Sequence, residues 1–551
     1  SSQHSDMTSR SLGHRAPLLW IVVPMIAGLA AARVKEFAPF AWLMAGAVVA
    51  AAAAVAASWR APRWFAPLLC SALFFAGAAS YGLHRPRIGA WDQLPPREAR
   101  VSLRVERVFH LPEPNRTAGL ARITAADEPL QELIGQRVYF SLTLRRDEAK
   151  PIRSSVISAI GVIETLPRDP PANSFDGYLA NAGVNFRFSR GRTLAEVAPP
   201  IGYYRFCARQ AERFAGMLGR GIDAKRPELA AVLRAMMLGW QHELSEEQDA
   251  LFRQSGTMHV FSISGLHIAV IAAGLHALLL LLRLPRALRF ACGLAALWLY
   301  VDITGAAPSA VRAFVMVALF EASLVLRLPR NPVAALAGSA LLVVLFAPLQ
   351  SFSASFQLSY AIVGALLLLG LPLADRWQQR LVLFKDLPKV TWRWPHRAAD
   401  AIWRTTLAAL ALGVAASLVS AVAGVMFFEL LTPGALVANL WLIPASSFVI
   451  LAGFVSMLCG LANFGAGSEL ANHAAALLLW AIEGGVRLFA ALPGAWVGAQ
   501  FRDAWIGPVA LAGLLAALAY GYGRRWAGWQ RGFWAPFAWV ALILLVGVKL
   551  G

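Results

Sequence analysis

Charge is what this chain has least of. Charged residues fill 15% of its 551 positions and hydrophobic ones 58%, where a soluble protein carries about 25% charged and 45–50% apolar residues. That shortfall excludes an ordinary soluble fold. Acidic residues are scarcer still: 31 Asp and Glu stand against 50 Lys and Arg, a net charge of +19. Basic cytoplasmic loops, which orient membrane proteins, account for much of the excess. The remainder points to lipid headgroups or a polyanionic partner. Cys70, Cys207, Cys292 and Cys459 are too few and too scattered for a disulfide framework or a zinc site. The dipeptide Gly-Lys does not occur, which removes the P-loop route to ATP hydrolysis. No cofactor or metal is expected.

What the chain does have is long apolar runs with no polar stripe, as lipid-facing helices have. Met7 is the expected natural start, and the first apolar run passes straight into further spans, unlike a cleavable signal peptide. Three segments, near 17–33, 38–58 and 64–83, form an N-terminal unit (17–83). Arg10, Arg15, Arg60 and Arg63 flank them on the side that the positive-inside rule assigns to the cytoplasm. Residue 84 therefore emerges outside. From 84 to 228 the apolar density falls and period-2 runs appear at 101–108, 120–124, 138–144, 156–163 and 184–188, separated by Gly and Pro. About five short alternating strands predict a small extracytoplasmic β-barrel of OB-like size. A channel-like membrane domain follows (229–551), with ten more apolar segments from 258–282 to 533–550. Its basic loops at Arg283/Arg286/Arg289, Arg327/Arg330, 376–404 and Arg524/Arg525/Arg531 all fall in the cytoplasm. The expected fold is a polytopic α-helical membrane protein of about thirteen spans. Short runs such as 290–306 are candidates for half-membrane segments.

Polar clusters interrupt these segments. They are His259-Val-Phe-Ser-Ile-Ser-Gly-Leu-His267; Asp302 with Thr304-Gly-Ala-Ala-Pro-Ser-Ala-Val-Arg312 and Glu321; Ser351-Phe-Ser-Ala-Ser-Phe-Gln-Leu-Ser359; and Phe427-Phe-Glu-Leu-Leu-Thr-Pro-Gly434 with Asn439 and Pro444. Broken helices with polar groups at membrane depth are what transport pathways require. The candidate path residues are His259, Ser262, Ser264, Gly265, His267, Asp302, Pro308, Ser309, Arg312, Gln357, Ser359, Glu429, Asn439 and Pro444. A buried Arg312 needs either a carboxylate (Asp302, Glu321 or Glu429) or a water-filled route. His259 and His267 are too far apart in sequence for a simple metal pair. Ser264 and His267 share a helix face, so a hydrolytic dyad is a competing reading.

The run 259–267, the Gly-x-x-Pro-Ser-x-x-Arg of 305–312, the Phe-Gln-Leu-Ser of 356–359 and the Ala-Asn-Leu-x-x-Ile-Pro of 438–444 resemble, in order and approximate spacing, the ComEC competence family. Ser174-Phe-Asp-Gly-Tyr-Leu179 resembles the end of that family's extracytoplasmic β-domain. The resemblance implies an inner (plasma) membrane channel that carries single-stranded DNA inward during natural transformation, its OB-like domain engaging DNA outside. It also implies an outer DNA receptor and an ATP-driven cytoplasmic partner. Many relatives carry a C-terminal metallo-β-lactamase-like domain. Its His-x-His-x-Asp-His cluster has no counterpart among the ten histidines here, so no enzymatic activity is expected.

Single-stranded nucleic acid calls for a cationic groove with stacking aromatics. Candidates in the β-domain are Arg104, Arg107, Arg122, Arg137, Arg145, Arg146, Arg187 and Arg190, with Tyr139, Phe140, Phe186 and Phe188; strand alternation lets only some share a face. A secondary transporter of a small anion is a further alternative, although no inverted repeat is visible.

Overall fold

A computed structural model describes residues 16–34, 38–85, 88–91, 94–113, 115–145, 148–171, 173–328, 331–524, 526 and 534–550. Three helices come first: α1 (Leu19–Val34), α2 (Phe40–Arg60) and α3 (Phe65–His84). Their sequences are apolar all round, so small residues rather than an amphipathic stripe set the packing. Gly28 meets the backbone of Phe74 and Gly77 meets that of Met25 so closely that any Cβ would collide with a carbonyl.

The chain then builds a closed barrel in the order β1-β2-β3-β5-β4. The strands are β1 (Arg97–Phe109), β2 (Arg116–Ala126), β3 (Arg137–Thr143), β4 (Val156–Thr165) and, after the short helix α4 (Phe175–Asn181), β5 (Phe186–Ala198). β3 and β5 run parallel and the other pairs antiparallel. Alternation sorts β3 cleanly: Val138, Phe140 and Leu142 are buried inside, while Arg137, Tyr139, Ser141 and Thr143 point outward. Phe186 and Phe188, on β5, are likewise buried in the barrel core.

The barrel closes at Ala198, and α5 (Gly202–Gly219) and α6 (Pro227–Leu238) pack into the helical core instead. The barrel's last strand therefore ends at Ala198, ahead of the boundary expected at 228. The signal was present in the sequence as buried Cys207, Phe214 and Leu218 at helical spacing. After α7 (Glu246–Gln254) come α8 (Gly265–Leu281), α9 (Arg286–Ile303), α10 (Pro308–Val325), α11 (Pro332–Phe346) and α12 (Ala354–Ala365). A π-turn leads from α12 into α13 (Leu371–Arg380). The bundle is completed by α14 (Trp394–Phe428), α15 (Ala435–Leu461), α16 (Gly465–Ala490), α17 (Ile506–Gly523) and α18 (Ala535–Gly547). Three short strands, β6 (Leu430–Leu431), β7 (Val497–Phe501) and β8 (Val548–Leu550), pair at one end of it.

A helix stands at each apolar segment. Among the described residues eight are long and apolar enough to cross a membrane by themselves, and four more are apolar but shorter. The protein is a multi-pass helical membrane protein with a five-stranded barrel. Helix α9 is in neither group, because Arg286, Arg289 and Asp302 interrupt it.

Candidate functional site

The polar clusters converge in space. Ser309, in the first turn of α10 behind Pro308, donates its hydroxyl to the carbonyl of Ile263 at 2.9 Å, joining the 305–312 motif to 259–267. Arg312 lies one turn further along and is 1% exposed. Its Nη2 donates to the carbonyl of Ser355 (2.7 Å) and to its hydroxyl (2.6 Å), which brings in the 351–359 motif. The remaining nitrogens, Nε and Nη1, are buried with no protein acceptor. Burying a guanidinium with two donors unused is costly.

None of the three carboxylates expected to pair with Arg312 does so. Asp302 is held by Arg153 of the barrel at 3.0 Å and by the Tyr203 hydroxyl at 2.8 Å. Glu429, in the left-handed conformation that ends α14 (φ 54°), accepts from Asn173 (2.7 Å) and Gln500 (2.6 Å). Glu321 lines a separate cavity of about 230 Å³ with His276, Arg286 and Arg289. Asp302 and Glu429, expected on the path, fasten the β-domain to the helical core instead. Asn181 makes a third such link, accepting from Arg33 at 3.2 Å and donating to the carbonyl of Phe352. Sequence reasoning missed Arg153 and Tyr203, and did not single out Ser355 within the 351–359 motif, because nothing in one chain's sequence marks which groups meet across such long stretches of chain.

His267 is fully buried at the start of α8. Its Nδ1 accepts from the Ser264 N–H (3.2 Å) and hydroxyl (3.0 Å), while Nε2 is buried without a partner. This ties off the helix start, as a capping residue does. His259 Nδ1 lies 2.9 Å from the carbonyl of Gly256. Among the described residues no cluster of three or more His, Cys, Asp or Glu could hold a metal. Gly265 faces Ala313, and Gln357 donates to the carbonyl of Ser351 at 3.3 Å. Asn439 keeps a buried, unpartnered Oδ1, and Pro444 sits within α15. Ser262 and Ser359 are half-buried.

On the barrel, three of the eight expected arginines are neutralised by carboxylates and a fourth is held by a hydroxyl. Arg122 and Arg137 both bind Glu106, Arg187 binds Asp176 and Glu164, and Arg107 donates to the Tyr178 hydroxyl at 3.2 Å. Together Arg107, Arg137 and Arg187 clamp α4 against the barrel wall. Tyr139 packs with Phe109, Phe175 and Tyr178 in the same clamp, and burial raises its pKa. Phe186 corrects the expectation outright: buried at 1%, it has no face for a base, and Phe140 and Phe188 share that position. Arg104 and Arg145 remain exposed, and Arg146 lies outside the described residues.

An exposed cationic surface lies toward the other end of the same strands, β2, β3 and β5, where Arg116 pairs with Glu113 at 3.5 Å. Arg116, Arg190 and Arg192 surround Ser141, Thr143 and Ser189 in a concavity of about 410 Å³. Strand register builds it, Arg116 pairing across to Thr143 and Thr143 to Arg192. Of these only Arg190 was singled out by the sequence.

Residues 236–524, more than half of the chain, match the family described as Competence protein. The chain belongs to that family. Over 142 residues it is 32% identical to ComE operon protein 3 of Bacillus subtilis (strain 168), covering 26% of this chain and 18% of that relative. The match thus spans about a fifth of the relative's length. No solved structure matches.

Proposed function

We propose that the chain is the conduit through which a single strand of DNA crosses the bacterial inner membrane during natural transformation, with the barrel engaging DNA on the outer side. The observation that carries this reading is Arg312: a buried cation with two donor nitrogens unused and no carboxylate in reach. Such a group is stable when a mobile anion or water completes its shell, and a passing phosphate is an anion of the right geometry for two N–H groups. A single such point, flanked by neutral Ser355 and Ser309, attracts a strand without trapping it.

The strand order β1-β2-β3-β5-β4 supports an OB-like barrel, and the Arg116–Arg190–Arg192 concavity supplies cationic and hydroxyl donors for a backbone. With no P-loop in the chain, the driving force falls to an ATP-driven partner in the cytoplasm, and delivery to an outer DNA receptor. A Ser264–His267 hydrolase is disfavoured because the Ser264 N–H shares His267 Nδ1 with the hydroxyl and, among the described residues, no carboxylate binds Nε2 to orient the ring. A small-anion transporter would use Arg312 equally well but leaves the cationic barrel without a task.

The test is uptake of labelled DNA in the natural host, comparing a deletion with the restored chain. The reading predicts that nuclease-protected internal DNA disappears on deletion while DNA still accumulates outside the inner membrane. Normal internalisation in the deletion would overturn it.

A further inference from the structure

Helix α5 has a composition unlike its neighbours. Gly202–Gly219 carries Arg205, Arg209, Glu212 and Arg213, and Arg220 follows directly. Positions 205, 209 and 213 recur at four-residue spacing, which keeps them on one face, and Arg220 caps the helix end two turns further on. All four arginines are exposed. Among the described residues none has a carboxylate partner; Arg205 reaches only the carbonyl of Pro200. The opposite face, with Cys207, Phe214 and Leu218, is buried in the helical core.

A basic amphipathic helix of this kind ordinarily lies flat in the membrane interface. The anchors of α5 contradict that placement. At its first turn Tyr203 binds Asp302 at the end of α9 that faces the barrel, and the Ile201 N–H binds Ser154 of the barrel. At its last turn the carbonyl of Met217 accepts from Asn472 (2.8 Å), at the start of α16, and Met217 lies against Gly460 at the end of α15. Helix α15 begins just after Glu429, which binds Asn173 of the barrel domain, and Gly460 stands at its far end, so the two anchors lie toward opposite ends of the bundle. Eighteen residues of helix span about 27 Å, close to the roughly 30 Å of a hydrocarbon core. The turn after α5, with Arg220, Lys225 and Arg226, is basic as cytoplasmic turns are, and α6 returns the chain toward the barrel. The hairpin adds two passes and leaves the orientation of α8 unchanged.

We infer that α5 crosses the membrane and that its arginine stripe is a track for the phosphate backbone of a single nucleic-acid strand, running from the barrel to the cytoplasmic face. The inference rests on the reading of the chain as a DNA conduit. Charge complementarity selects the occupant: unpaired guanidinium groups at membrane depth require an anionic, hydrated lining, and successive arginines about 6 Å apart along the axis match the phosphate repeat of an extended strand. The continuity of α5 with the barrel places the track's entrance beside the domain that meets the strand first.

The test uses the full chain with its four cysteines replaced by alanine and one new cysteine at a time, in right-side-out and inside-out membrane vesicles. A membrane-impermeant maleimide reports access, and an oligo-dT strand is the competing ligand. Asp223→Cys is expected to react only in inside-out vesicles. Arg209→Cys and Arg213→Cys are expected to react, several-fold more slowly once oligo-dT is present, while Leu477→Cys on the lipid-facing side of α16 stays unreactive. Reaction of Asp223→Cys from outside overturns the inference. So does unreactivity at 209 and 213, which would place the stripe against lipid or a second copy, and so does reactivity that oligo-dT leaves unchanged. In the host, replacing Arg205, Arg209 and Arg213 together by Gln is expected to abolish internalised DNA, and replacing them by Lys to preserve most of it. Normal uptake in the Gln variant, with uptake lost in the deletion, would overturn the track and leave the conduit reading standing. Normal uptake in the deletion would remove the conduit reading, while the vesicle labelling would still decide whether α5 crosses.

Discussion

Arg153 of the barrel and Asp302 of helix α9 are joined at 3.0 Å, with the carboxylate 3% exposed and the guanidinium far more open. Tyr203 completes the junction by donating to the other carboxylate oxygen at 2.8 Å. One buried acid thus fixes the barrel and α5 to the membrane core. Asp302→Asn removes the charge that both donors point at. The expected cost is about 1.5–3 kcal/mol of docking stability, the range for hydrogen bonds to a charged group. It should be read as faster proteolysis in the segment between Ala198 and Gly202 and a lower Tm for the purified protein. Unchanged proteolysis would show that Asn181 and Glu429 hold the barrel without it.

The barrel's cationic concavity makes a separate prediction. Arg190→Glu with Arg192→Glu is expected to weaken binding of a single-stranded oligonucleotide. It should also flatten the salt dependence, by about 0.7 in log–log slope for each phosphate that the protein no longer neutralises. Arg122→Glu is expected to act differently, since its guanidinium already serves Glu106. It should lower barrel stability and leave the slope nearly unchanged. Filter binding across a salt series separates the two.

Phe186 tests the inside of the barrel. It packs edge-on to Trp91 with ring centroids 5.7 Å apart. Phe186→Ala should therefore destabilise the barrel by about 3–5 kcal/mol, as truncation of a buried aromatic does, measured by thermal unfolding. Weakened strand binding at unchanged stability would restore it to the surface.

His110, just beyond β1, stacks on His242 with ring centroids 5.3 Å apart, beside Trp240. Its pKa is lowered from 6.5 to about 4, by burial first and then by the positive charges of His242, Lys150 and Arg107. The docked state therefore holds a neutral ring. Docking is at full strength above pH 6.5 and weakens as pH falls toward 4, because the released state binds the proton more readily. The side chain is itself solvent-exposed, so solvent screens most of the effect. His110→Phe should keep the stack and lose the pH dependence of proteolytic release. A pH profile identical to that of the natural chain would place the sensor elsewhere.

The membrane class, the barrel and the order of the polar motifs were all legible in the sequence, since each rests on periodicity or local composition. The pairing of Arg312 was not. A lone Arg in an apolar run demands a partner, but Asp302, Glu321 and Glu429 look equally available until the fold assigns each elsewhere. The arginines of β2, β3 and β5 misled for a related reason: Glu106 neutralises Arg122 and Arg137, and Glu164 and Asp176 neutralise Arg187, which only the fold shows. Helix α5 was hidden by its own charge, because hydropathy discards an amphipathic helix with four basic residues in and beside it.

The most direct test of the central claim is nuclease-protected DNA uptake in cells carrying Arg312→Ala or Arg312→Lys, with membrane levels of the protein verified. The account predicts that Arg312→Ala abolishes internalisation while DNA still accumulates outside, and that Arg312→Lys, which keeps the charge but not the planar pair of donors, retains a reduced fraction. Uptake at the natural level in the folded Arg312→Ala protein would contradict it and remove Arg312 from the strand's path.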